Sequence, residues 1–172
     1  MASALKNLSD YNANDIPSGK NKRFGIVVSD YNSNITFALL EACYNTLLAH
    51  GVNENQVHIV HVPGAYELPL GAKILFQAQP FDAIIGIGCV ITGETKHDDY
   101  INNAVSNAIM QLNIQHSTPF VFGLLTPRTL QQALDRAGGK HGNKGVEAAV
   151  TALKMAHLAQ SLKAGSSFMD PF

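Results

Sequence analysis

Residues 82–91 hold an unbroken apolar run, Ala83-Ile84-Ile85-Gly86-Ile87-Gly88-Cys89-Val90. An extended segment that is apolar at every position, not at alternate ones, has to be buried on both faces, as a central strand of a parallel sheet is. The run also falls far short of the roughly 20 residues that a membrane helix requires. The chain must therefore supply cover for two sides of one strand.

The rest of the pattern offers that cover. Residues 23–29, 56–62 and 119–125 read as three further strands, short and rich in β-branched or aromatic side chains. Stretches of helical period separate them. One is capped by Asn34, runs through Ile35, Leu39, Ala42, Leu47 and Leu48, and ends at Gly51. A second covers 68–77 and stops before Pro80, and a third runs from His97 or Asp98 to about Asn113. Thr126-Pro127, a cap followed by proline at the first helical position, opens a fourth that reaches about Ala137. After a break at Gly138-Gly139-Lys140-His141-Gly142-Asn143, residues 145–162 form a last helix with Val146, Val150, Leu153 and Ala156 on one face. Strands alternating with helices give right-handed βαβ units. The expectation is an α/β chain: a single doubly wound domain over 23–164 with a four-stranded parallel sheet flanked by helices. A polar N-terminal arm over 1–22 precedes it, and a C-terminal tail over 165–172 follows.

Composition narrows the function classes. Twelve Lys and Arg against thirteen Asp and Glu leave a formal charge of −1, which is no electrostatic footprint for nucleic acid. Cys43 and Cys89 are too few for a disulfide framework. The N-terminus lacks the apolar core of a signal peptide, so a cytoplasmic protein without a membrane partner is expected. Charged residues make up only 15% of the chain, where about 25% is usual for a soluble domain. Either other subunits cover part of the surface, or Asn, Gln, Ser and Thr take the place of the charges.

In a sheet of this kind, ligands bind beyond the carboxyl ends of the strands. Four loops qualify: Ser29-Asp30-Tyr31-Asn32, Val62-Pro63-Gly64-Ala65-Tyr66-Glu67, Cys89-Val90-Ile91-Thr92-Gly93-Glu94-Thr95-Lys96-His97, and residues 122–126. Gly93-Glu94-Thr95 at a helix start can aim free N–H groups and a hydroxyl at an anion, or can be a simple capped turn. His97 in the first helical turn reads as a general acid or base, or as a surface histidine. Tyr31, Tyr66 and Phe122 either wall a pocket for a planar ring or pack under the loops. Arg136 and Lys144 flank the glycine-rich break, as phosphate partners or as helix C-terminal cations. Zinc motifs, a nucleophile elbow, a Walker A loop and a dinucleotide fingerprint are missing from the sequence.

Four segments in register resemble the lumazine synthases: residues 62–67, residues 90–97, Phe120-Val121-Phe122-Gly123-Leu124-Leu125-Thr126, and Arg136-Ala137-Gly138 with Gly142-Asn143-Lys144-Gly145. The resemblance extends from about Phe24 to Leu158. It implies a flavodoxin-like fold and a transferase activity without cofactor or metal, at the penultimate step of riboflavin biosynthesis. In that step 5-amino-6-ribitylaminouracil and 3,4-dihydroxy-2-butanone 4-phosphate give 6,7-dimethyl-8-ribityllumazine, phosphate and water. By the resemblance Tyr31 stacks on the pyrimidine, and Ala65, Tyr66 and Glu67 line the ribityl chain. Cys89, Val90 and Ile91 offer backbone groups to the uracil edge, and Phe122 closes the pocket. Glu94, Thr95 and Arg136 hold the phosphate, with Lys144 as a weaker candidate, and His97 shuttles protons.

The resemblance also implies a homo-oligomer built from pentamers, with Phe122 and Arg136 contributed by a neighbouring subunit. The short turn between Arg136 and Lys144 points to a sixty-subunit icosahedral shell, with riboflavin synthase as a possible associate. Two positions depart from the family pattern: Thr92 stands where a basic residue is common, and Asp98 where an aromatic is. Lys96 can stand in for the first. The competing readings are an archaeal-type riboflavin synthase, which would need no phosphate site, and a non-catalytic shell protein or flavin carrier.

Overall fold

The computed structural model describes residue 7 and residues 9–163. The tail expected from residue 165 and part of the arm lie outside the described residues. Four parallel strands, β1 (Phe24–Ser29), β2 (Val57–Val62), β3 (Ala83–Cys89) and β4 (Phe120–Leu125), form one sheet in the order β2-β1-β3-β4. The expected doubly wound α/β fold is the one observed. β1 and β3 are buried at every residue, as the apolar run requires, because each has a strand on both sides and helices on both faces.

Side chains alternate between two core layers. Phe24, Ile26 and Val28 of β1 and Ala83, Ile85 and Ile87 of β3 meet α1 (Ser33–Ala49) and α5 (Lys144–Lys163). Val27 and Ile84 meet α2 (Leu68–Ala78) and α3 (His97–Gln115) on the other face. Small residues set the spacing of these layers. A Cβ on Gly71 of α2 would stand 2.8 Å from both Val27 and Val62, and one on Gly145 of α5 would collide with the Leu39 carbonyl of α1.

The close approach of α5 to α1 corrects the expected helical face. The buried stripe of α5 is Gly145, Ala148, Ala149, Ala152, Leu153 and Ala156, while Val146 and Val150 are only half-buried. Small side chains win the contact because larger ones do not fit between the two axes.

Two cap assignments also shift. Asn32, not Asn34, caps α1, in the left-handed conformation with φ of 58°. Its carbonyl accepts from the Ile35 and Thr36 N–H groups. Thr129, not Thr126, caps the short α4 (Leu130–Asp135), its hydroxyl accepting from Gln132 N–H at 3.2 Å. The reason is local. The Pro127 carbonyl accepts from Thr92 N–H at 3.0 Å, which straps residues 126–128 across the exit of β3 in place of a helical turn. The expected break after Ala137 is a small antiparallel hairpin, β5 (Ala137–Gly139) with β6 (Gly142–Asn143).

Candidate active site

Strand order reverses at β1, whose loop turns toward β2 while the loop after β3 turns away from it. Such a switch point leaves a crevice at the carboxyl ends of the strands. A cleft of about 800 Å³ lies there, lined by Tyr31, Asn32, Gly64, Ala65, Tyr66, Glu67, Cys89, Val90, Ile91, His97, Tyr100 and Ile101. Eight residues singled out in the sequence, Tyr31, Ala65, Tyr66, Glu67, Cys89, Val90, Ile91 and His97, thus converge on one space.

One wall is stitched by backbone bonds. Asp30 N–H donates to the Val62 carbonyl at 2.9 Å, and Tyr31 N–H to the Pro63 carbonyl at 3.1 Å. The Glu67 carboxylate accepts from Gly64 N–H at 3.1 Å through Oε2, which leaves Oε1 without a hydrogen bond among the described residues. A Cβ on residue 64 would stand 3.0 Å from the Tyr31 ring and 3.1 Å from Glu67 Oε2, so a larger residue would make both side chains shift slightly. Tyr31 itself is 72% exposed, with its ring against this turn.

The floor comes from β3. Asn32 Nδ2 donates to the Cys89 carbonyl at 2.9 Å, and Val90 N–H donates to the Leu125 carbonyl at 2.9 Å. Burial pushes the Cys89 thiol up to about 11, so it stays protonated near neutrality and offers no nucleophile.

The far end is open. Gly93, Glu94 and Thr95 precede α3, and their N–H groups make no hydrogen bond among the described residues. A Cβ at Gly93 would meet nothing within 4 Å. These residues are exposed and lie just before Lys96, the N-cap of α3. His97, the first residue of α3, is exposed beside them.

Other sequence-selected residues do not line the cleft of this single chain: Gly93, Glu94, Thr95, Phe122, Arg136 and Lys144. Phe122 lies on the outer strand β4, partly exposed. The Arg136 guanidinium donates to the His141 carbonyl at 2.7 Å and pairs with Glu147. Lys144 reaches the same carboxylate at 3.3 Å.

The family model for 6,7-dimethyl-8-ribityllumazine synthase matches residues 21–160. The chain belongs to the 6,7-dimethyl-8-ribityllumazine synthase family. Relatives of that name include one from Porphyromonas gingivalis, 51% identical over 92% of this chain and 98% of its own length. Another, from Cytophaga hutchinsonii, is 50% identical over 94% of this chain and all of its own length.

The sequence reading gave no role to four lining residues: Asn32, Gly64, Tyr100 and Ile101. Tyr100 and Ile101 follow His97 by about one helical turn and so share its side of α3, a signal present in the spacing. Nothing in the sequence marks the bond between Asn32 and a carbonyl 57 residues away.

Proposed function

We infer that this chain carries out its family's reaction, joining 5-amino-6-ribitylaminouracil to 3,4-dihydroxy-2-butanone 4-phosphate, in the cleft at the strand ends. The observation that carries the reading is the convergence of Tyr31, Tyr66, Glu67 and His97 on one cleft at the strand ends, with the open Gly93–Thr95 turn just before His97.

In this reading Tyr31 stacks on the pyrimidine, and Glu67 Oε1 accepts from ribityl hydroxyls beside Ala65 and Tyr66. The backbone at Cys89, Val90 and Ile91 faces the uracil edge. The Gly93–Thr95 amides and the Thr95 hydroxyl take the phosphate. An amine of the aminouracil attacks the ketone, water leaves as an imine forms, phosphate departs by elimination, and the second amine closes the ring with loss of water. His97 relays the protons. Both substrates are reactive, so holding them together does most of the work, up to about 7–11 kcal/mol for well-oriented partners.

The same reading makes the active unit an oligomer. Leu70 and Ile74 of α2 and Met110 and Ile114 of α3 are each more than half exposed, an apolar face suited to a second copy. A neighbouring subunit would bring its own Phe122 to close the aminouracil pocket and its own Arg136 to complete the phosphate end. We take pentamers as the building unit and a sixty-subunit shell as the assembly, within the cytoplasm and in reach of riboflavin synthase, with residues 1–22 as an arm on the domain of 23–164.

The test mixes purified protein with both substrates and follows fluorescent lumazine together with phosphate release. Equimolar acceleration of both above the spontaneous rate is expected. A ribityl ligand that binds without being turned over would overturn catalysis in favour of a carrier.

A further inference from the structure

Asp30 and His61 take no part in the chemistry above, yet they join the two strands whose loops form the stitched wall of the cleft. Asp30 directly follows β1, and His61 is the penultimate residue of β2. His61 Nδ1 and Asp30 Oδ1 are 2.8 Å apart. Phe37 of α1 meets the His61 ring edge-on, with centroids 5.7 Å apart and planes at 86°. The imidazole is therefore held from two sides, by a carboxylate and by an aromatic ring.

The next residue is Tyr31. Its ring touches the Gly64 turn but is otherwise open to the cleft and solvent. A side chain with so little packing keeps its direction mainly through its backbone, and that backbone is anchored at 30 and 31 to residues 62 and 63. The side-chain hydrogen bond adds a third tie, outside the backbone ladder, at the point where the loop leaves β1. Both partners are about half exposed, and such pairs contribute little to global stability. The consequence of this one falls on the loop, not on the fold.

We propose that Asp30 and His61 are positioning residues for Tyr31, clamping the β1–α1 loop to β2 so that the ring stands ready as a platform for the pyrimidine. The proposal rests on the stacking role given to Tyr31, so one of its readouts is independent of turnover.

In protein labelled with 3-fluorotyrosine, the Tyr31 resonance is assigned by Tyr31→Phe. It should move toward the free amino-acid position in Asp30→Ala and in His61→Ala, and stay in place in Asp30→Asn, whose amide oxygen still accepts from Nδ1. In steady state, the alanine variants should raise KM for the aminouracil about three- to fivefold, the range open to loss of one side-chain hydrogen bond. KM for the butanone phosphate and kcat should hold within about twofold, the double variant should be no worse than either single one, and Asp30→Asn should restore KM. An unmoved resonance, or equal rises in both KM values, would overturn the clamp. If the wild-type chain forms no lumazine, the functional reading fails while the resonance still decides whether the pair positions the ring.

Discussion

On the wall formed by Tyr31, Gly64 and Glu67, the groups that shape the cleft already have partners within the chain. The backbone of residues 30 and 31 is bonded to 62 and 63, Glu67 to Gly64, and Asn32 to Cys89. At Gly93–Thr95 the N–H groups have no such bonds, and two of the cations expected beside them, Arg136 and Lys144, are held by Glu147. The first region is organised before any ligand arrives. The second has solvent-facing donors with Lys96 as the adjacent cation, which suits the proposed site that a neighbouring subunit completes. Preorganisation is thus unevenly spread over one cleft, and each half should fail in its own way.

Arg136→Ala should give the largest loss, about 10³-fold in turnover, as removal of a charge from a desolvated ion contact does. His97→Ala should cost less, about 10²-fold, because general acid–base help is a smaller contribution for substrates this reactive. Single-turnover kinetics on both variants would break the comparison if the order were reversed. Ionic strength should separate the halves next. Raising salt from roughly 0.05 to 0.5 M should lift KM for the butanone phosphate about threefold and leave KM for the aminouracil unchanged, since salt screens the phosphate contact alone.

A smaller effect concerns the element that carries Arg136. The Gln131 amide, and then Lys140, hold the Asp135 carboxyl below its ordinary value of 3.8. Its contribution to stability is therefore complete above the ordinary value and is lost as pH falls through the lowered one. Melting curves of the wild type and Asp135→Asn should differ at neutral pH and converge in acid below 3.8. The smallest expected effect is none at all. With its thiol pushed up to about 11, Cys89 should resist iodoacetamide at pH 8, and a chain that was alkylated there would not have the closed cleft floor described above.

Much of this architecture is legible in the residues. The strand at 83–89 announces itself because burial on both faces removes every polar side chain, and the loops at 62–67 and 90–97 stand out because they follow such strands. The face of α5 was harder to read. Valine and alanine both count as apolar in a periodic pattern, and only the packing of α5 against α1 and the sheet shows that 148, 149 and 152 are the buried positions. The cap at Thr126 failed for a similar reason, since residues 126–128 are strapped to Thr92, a distant partner that no local pattern marks.

By itself, the sequence determined the order of elements, the doubly wound class and the loops that meet at the strand ends, because periodicity and turn chemistry act over a few neighbouring residues. Only the tertiary structure decided that Asn32 holds Cys89, that Glu147 holds Arg136 and that His61 meets Asp30. Each of those contacts joins residues 11 to 57 positions apart. Such a pairing depends on the register between packed elements, which no local pattern encodes.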